Sequence, residues 1–193
     1  MNRGVLIILS APSGTGKTTI CEKLLDRNPT WGFSVSVTTR PKREGEIDGK
    51  DYIFMDVNKF EHYVKFGDFV EWEWVHGNKY GTLIAPLEDA LDNGKVTILD
   101  IDVKGGVSIM EEFEDKAMSF FIEPPGEEII DKIEVLEERL NKREKESSTI
   151  IKRRLKRFPL EMEYKEQFKY HLINEELDKT VEEIEKIIKE NLK

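Results

Sequence analysis

One cysteine, Cys21, is the only thiol in 193 residues. A lone cysteine excludes an intrachain disulfide framework and points to a reducing compartment, the cytoplasm. Its helical spacing behind a glycine-rich motif reads as a small buried residue, not a nucleophile. Long apolar runs are missing as well. The longest near the N-terminus, Val5 to Leu9, is too short to cross a bilayer and runs straight into that motif, so it reads as a core strand and not as a signal peptide or membrane anchor. Positive charge is not in excess: 30 Lys and Arg stand against 39 Asp and Glu, a formal net charge of −9. That balance argues against a broad nucleic-acid footprint and leaves any phosphate site to be built locally. The three histidines, His62, His76 and His171, have neither metal-ligand spacing nor a partnered nucleophile, and read as structural. No internal repeat or low-complexity linker is present.

What is there is a folded chain with a heavily charged surface, at 38% hydrophobic and 36% charged residues. Apolar blocks at Val5 to Leu9, Val96 to Ile101, Met118 to Ile122 and Leu172 to Ile173 are predicted as buried strands. Helical patterns run from Lys17 to about Asp26, Asp56 to about Phe66, Pro86 to Asn93, and Leu177 to the C-terminus, with Gly67 and Gly94 at helix ends. In the last helix Val181, Ile184, Ile187, Ile188 and Leu192 form one apolar stripe, which is packing. This alternation is that of an α/β fold, a parallel sheet flanked by helices. Two stretches interrupt it. Residues 33–84 carry strand-like alternation and turn signals, and residues 127–168 are long, charged and helical, with Pro159 expected to bend them. The expected division is a core of 1–32, 85–126 and 169–193 with these two insertions.

The segment from Ala11 to Thr18, APSGTGKT, follows a strand and opens a helix, the setting that the phosphate-binding loop G-x-x-x-x-G-K-[ST] requires. Gly14 and Gly16 let the backbone curl with its N–H groups inward, and the helix dipole adds positive potential. Lys17 reaches the β- and γ-phosphates and Thr18 can ligate Mg²⁺. Ala11 stands where glycine is usual.

From Phe33 to Thr38 apolar and hydroxyl residues alternate, so a single strand is expected with Ser36 facing a cleft. It leads into Thr39-Arg40-Pro-Lys-Arg43-Glu-Gly45, a constrained cationic turn able to grip a second phosphate. The strand from Val96 ends in Asp100 and Asp102, either of which could support Mg²⁺ or its waters. Arg139 and Arg143 lie four apart on a helical pattern, and Arg153 and Arg154 open a further cationic cluster.

Together the phosphate loop, Phe33 to Arg43, Gly49-Lys-Asp-Tyr52 and Ile98-Leu-Asp-Ile-Asp102 resemble guanylate kinase over nearly the whole chain. The resemblance implies ATP with Mg²⁺ as donor and GMP as acceptor. It implies an ATP site at Ser13, Gly14, Thr15, Gly16, Lys17, Thr18 and Thr19, with Asn174 on the adenine side and Thr18 as the metal-ligating residue. Arg40, Arg43, Tyr52 and Tyr80 would hold the GMP phosphate, and Ser36, Glu71 and Thr82 the guanine, with Asp100 nearby. Residues 33–84 become the GMP-binding insertion and 127–168 a helical lid. In that lid Arg139, Arg143 and Arg154 match R-L-x-x-R followed by K-R-L at Arg153 or Arg154, and with Lys17 they would carry the catalysis. Glu144 departs from the glycine usual after the second arginine.

The guanine assignment has chemical sense of its own. Guanine offers N1–H and N2–H₂ as adjacent donors, which a carboxylate complements, whereas adenine has no donor at N1 and would leave Glu71 unpaired. Three other readings compete: a GTPase switch, since Asp102 to Gly105 fits D-x-x-G and Asn141 to Glu144 approaches N-K-x-D; a non-catalytic interaction module on the same fold; and a related kinase with another acceptor. An intact Lys17, Thr18 and lid arginines favour the kinase.

Overall fold

The computed structural model describes residues 4–75, 77–142 and 147–192. His76, Arg143 and Glu144 lie outside the described residues. The main sheet is built from β1 (Val5–Ser10), β2 (Gly32–Phe33), β7 (Val96–Asp100), β8 (Ala117–Glu123) and β9 (Tyr170–Ile173), in the order β2-β7-β1-β8-β9. Every ladder in it is parallel. Both faces are covered, which is why β1 is apolar at successive positions instead of alternating. Val5, Ile7 and Leu9 pack with α1 (Lys17–Arg27) and α8 (Leu177–Asn191), whose Val181, Ile184 and Ile188 form the buried part of the expected stripe. Leu6 and Ile8 face the opposite way, against α3 (Ile84–Asp92) and α4 (Val103–Phe113).

A second sheet, in the order β4-β3-β6-β5, comprises β3 (Val37–Thr38), β4 (Ile53–Phe54), β5 (Phe69–Val75) and β6 (Asn78–Leu83). Helix α2 (Val57–Phe66) covers one face by stacking Phe60 on Phe69, centroids 4.5 Å apart. The expected single strand from Phe33 to Thr38 does not exist. Phe33 ladders with Ile98 in the main sheet, Val37 ladders with Gly81 and Ile53 in the second, and 34–36 cross between them. The alternation in the sequence is therefore a passage between two sheets, and Ser36 reaches the cleft because it lies on the crossing.

Helix α4 has no counterpart in the periodic pattern, since Gly105 and Gly106 lower the intrinsic helix propensity there. Packing overrides it. A Cβ on Gly106 would stand 2.7 Å from Ser10 Oγ and 3.1 Å from the Phe168 ring, so only glycine lets this helix approach β1 so closely. Asp102 caps α4 by accepting the Gly105 N–H at 2.9 Å. The D-x-x-G match is thus a helix N-cap.

The described residues of 129–142 and 147–167 include α5 (Ile129–Lys142), α6 (Ser148–Leu155), α7 (Phe158–Met162) and a 3-10 turn at Lys165–Gln167. They share a separate apolar cluster of Leu136, Leu140, Ile151, Leu155 and Phe158. Pro159 does not bend a long helix. It occupies the first turn of α7, where its missing N–H costs nothing.

Candidate active site

The loop between β1 and α1 turns on Gly16, whose φ of 101° is closed to other residues and whose Cβ would meet Asn174 Nδ2 at 2.9 Å. Thr15, buried, closes the turn on the Pro12 carbonyl through its N–H and its hydroxyl. The Asn174 amide donates to the Thr15 carbonyl at 2.7 Å, and Thr180 Oγ1 bonds Asn174 Oδ1 at 3.3 Å. The loop is thereby fixed from behind by the end of β9 and the first turn of α8.

Asp100, last residue of β7, is the junction of the site. Its Oδ1 pairs with Lys17 Nζ at 2.7 Å and its Oδ2 accepts from Thr18 Oγ1 at 2.8 Å. Lys17 Nζ also donates to the Ile101 carbonyl. On its other side Asp100 lines a cleft of about 210 Å³ with Ser36, Tyr52, Glu71, Glu73, Tyr80 and Asp102.

Within that cleft Glu71 Oε1 accepts from the hydroxyl of Thr82, which is buried beneath it, at 2.6 Å. Burial pushes the Glu71 carboxyl up to about 7, against the opposing Thr82 hydrogen bond and reinforced by Asp102 and Glu73. Burial and then Asp102 likewise raise Glu73. Tyr52 and Tyr80 meet edge to face at 5.9 Å, and burial raises the Tyr52 phenol, which keeps it a hydrogen-bond donor. Arg40 lies over the Tyr52 ring at 5.4 Å and is gripped by Glu46, with guanidinium–carboxylate contacts of 2.6 and 3.0 Å. The two arginines of the cationic turn therefore part company, because Arg43 lines the neighbouring phosphate-loop cavity.

That cavity, about 610 Å³, runs along residues 11–18 and is walled opposite by Arg153, Arg154, Arg157 and Glu161. Arg154 Nε donates to Ser13 Oγ at 2.6 Å, and Glu161 accepts the Ser13 N–H at 3.3 Å. Arg139 is not in this cavity. It donates to the Asn174 carbonyl at 2.8 Å and lines a separate pocket of about 270 Å³ with Gly14, Gly16, Thr19, Lys142 and Asn174. The sequence reading missed Glu73, Arg157 and Glu161. Arg157 and Glu161 are spaced i,i+4 across the helical segment, and Glu73 alternates with Glu71 on β5; that spacing was visible, but not what it would face. His62 rests on Phe66 and His171 bonds the Phe168 carbonyl, both structural; Cys21 is buried, its thiol raised by burial.

The oxygen donors around Thr18 and Asp100 suit a hard cation such as Mg²⁺, which keeps waters and substrate oxygens and needs few protein ligands. Among the described residues no group of three or more His, Cys, Asp or Glu is arranged to hold a metal by itself, and no helix is long and apolar enough to cross a membrane.

The chain is similar to known proteins over almost its full length. The family model described as guanylate kinase matches residues 3–191. The guanylate kinase of Chlorobium luteolum is 41% identical over 181 residues, 94% of this chain and 89% of that protein. That of Chlorobium chlorochromatii is 42% identical over 185 residues, covering 96% and 94%. Among solved structures, the guanylate kinase from Anaplasma phagocytophilum superposes with a TM-score of 0.76 at 33% identity, covering all of this chain and 88% of that one.

Proposed function

This chain belongs to the guanylate kinase family and transfers a phosphoryl group from ATP to GMP, giving ADP and GDP, and on that premise we propose which residues carry each part of the reaction. The carrying observation is Asp100, which contacts Lys17 and Thr18 of the donor loop and also lines the Glu71 cleft, so the two substrate sites share one wall.

ATP lies with its phosphates along Ser13 to Thr19, its adenine toward Asn174 and Arg139. Mg²⁺, with Thr18 Oγ1 as protein ligand and Asp100 or Asp102 steadying its waters, would supply charge neutralisation at the β- and γ-phosphates. GMP lies with guanine against Ser36, Glu71 and Thr82 and its phosphate toward Tyr52, Tyr80, Arg40 and Arg43. Asp100 sits between guanine and the donor loop. The ionised Glu71 accepts from guanine N1–H and N2–H₂, while adenine would leave it unpaired, a mismatch worth up to ~10⁴ in discrimination.

An oxygen of the GMP phosphate attacks the γ-phosphorus, the bond from that phosphorus to the β–γ bridging oxygen breaks, and ADP leaves. No protein nucleophile is required. Catalysis is positioning and charge neutralisation, by Lys17 along the phosphates, by Arg154 with Arg139 from the helical segment, and by Arg143. Two insertions close over the substrates and exclude water: residues 34–84, which carry the second sheet, and the lid 127–168, which carries its own apolar cluster. The laddering of Phe33 to β7 supports starting this insertion at residue 34, one residue later than the sequence pattern suggests. A free buried thiol and a net charge of −9 support a cytoplasmic enzyme acting on small nucleotides.

The test is a coupled assay of ADP release from ATP·Mg²⁺ with GMP, AMP, CMP, UMP or no acceptor. Turnover with GMP alone is expected; equal turnover with AMP removes Glu71 from guanine recognition.

A further inference from the structure

Glu123 is a carboxylate that the phosphoryl-transfer chemistry does not use, and it is 3% exposed. It ends β8, the strand from which the chain departs into the helical segment. Two ammonium groups converge on it: Lys132 Nζ at 2.6 Å from Oε2 and Lys165 Nζ at 2.7 Å from Oε1. Burial alone would raise this carboxyl, but the two ammonium groups outweigh it and hold it below the ordinary range.

The placement of the two lysines is what gives the cluster meaning. Lys132 lies in the first turns of α5, where the segment begins, and Lys165 opens the 3-10 turn just before β9, where it ends. One buried carboxylate therefore ties together the two stems on which the whole segment hangs. The same residue also reaches the ATP side through its backbone, since the Asn174 N–H donates to the Glu123 carbonyl at 2.8 Å. Arg139 lies roughly two helical turns, about 10 Å, beyond Lys132 on the same face of α5. Its guanidinium bonds the Asn174 carbonyl at 2.8 Å. The circuit closes: Glu123 to Lys132, along α5 to Arg139, to Asn174, and back to Glu123. On the other stem Lys165 follows, by one turn, Glu161, which accepts the Ser13 N–H of the phosphate loop.

We propose that Glu123 is a positioning residue for phosphoryl transfer, a charged pivot that pins both stems of the lid so that its arginines arrive over the phosphate loop in register. A purely packed hinge would let either stem slide. A carboxylate bonded by two ammonium groups in a water-poor site has a sharp minimum in distance and direction, and removing it takes from both cations the carboxylate they share. A displacement of about 1 Å at the reacting groups is enough to cost up to ~10²-fold in rate, so a loosened pivot is read in kcat. Glu71, Tyr80 and Thr82 stand on the second sheet, whereas the partners of Glu123 named above lie on the helical segment and beside β9, so GMP affinity is spared.

This rests on the lid reading above, and the experiment separates the two. Steady-state kinetics and thermal unfolding are measured for Glu123→Gln, Lys165→Met, their double variant, and Arg139→Ala as a lid control. Expected are a kcat lowered about tenfold for Glu123→Gln, a smaller drop for Lys165→Met, a double variant little worse than Glu123→Gln alone, and a KM for GMP within about twofold of the parent. Were Glu123→Gln not to fold, Lys165→Met, altered at a partly exposed side chain, decides by the same kcat criterion. A kcat unchanged while the unfolding temperature falls would make the cluster merely structural and overturn the proposal, as would a rise in the GMP KM at constant kcat. If Arg139→Ala leaves both kcat and the ATP KM at parental values, it is the lid reading that fails.

Discussion

Thr82 Oγ1 donates to Glu71 Oε1 across 2.6 Å, and that bond is what holds the carboxylate of β5 in a cleft otherwise hostile to its charge. Because burial sets the Glu71 carboxyl at about 7 in the free enzyme, while guanine binds its ionised form, GMP binding near neutral pH must drive a proton off Glu71. The KM for GMP is expected to be about tenfold larger at pH 6 than at pH 8. The GMP phosphate itself titrates near ~6, so the measurement is made against Glu71→Gln, whose residual profile is that of the phosphate alone. Identical profiles for parent and variant would remove Glu71 from the guanine contact.

The same shift has a consequence for stability with a definite sign. The folded state holds the Glu71 proton more tightly than the unfolded chain does, so the contribution to stability is full below the ordinary carboxyl value of 4.5 and is lost as pH rises through about 7. Glu71→Gln mimics the protonated form. Its advantage over the parent in denaturant unfolding of the nucleotide-free enzyme should be absent at pH 4 and largest at pH 8.

Lys17 pairs with Asp100 and donates to the Ile101 carbonyl at the foot of the phosphate loop. Lys17→Ala is expected to lower kcat by ~10³-fold or more while circular dichroism stays native, since the side chain serves the phosphates and not the core. Substantial residual turnover would contradict the mechanism.

Arg139 and Arg154 sit in different cavities, the first with Asn174 and Thr19, the second against Ser13. Alanine substitutions should therefore separate kinetically. Arg139→Ala is expected to raise the KM for ATP several-fold and to lower kcat less than Arg154→Ala does, which lowers kcat by about 10²-fold with little change in either KM. The same kinetic pattern for both would remove Arg139 from the adenine side.

Gly106 lets α4 lie against β1, and a methyl group there meets Ser10 Oγ at 2.7 Å and the Phe168 ring at 3.1 Å. Gly106→Ala gains helix propensity but overpacks this contact, with an expected net loss of about 1–3 kcal/mol in unfolding free energy. Differential scanning calorimetry should show a lower Tm; an unchanged Tm would mean that α4 can shift without cost.

Much of this protein is written locally. The phosphate loop is legible because its demands fall on consecutive residues: a strand, a turn with glycines at positive φ, then Lys17 and Thr18 opening a helix. The main-sheet strands β1, β7 and β8 are legible because burial on both faces makes most of their positions apolar, and α8 because its stripe repeats with the helical period. Glu71 is different. Nothing in its spacing distinguishes it from a surface carboxylate, and only resemblance singled it out; its environment comes from Thr82, on the partner strand.

Tertiary structure alone decided the rest. The alternating Phe33 to Thr38 is one strand by pattern but two half-strands in two sheets, because ladder partners distant in sequence claim its ends. Helix α4 forms in spite of Gly105 and Gly106 because close approach to β1 outweighs their propensity. Arg139 and Arg154 look equivalent as charges along a helical stretch, yet the fold sends one to Asn174 and the other to Ser13. Lys132 and Lys165 meet on Glu123 only because β9 returns beside β8. Periodicity and dihedral demands are properties of neighbours in the chain; which charges share a buried carboxylate depends on where the chain comes back.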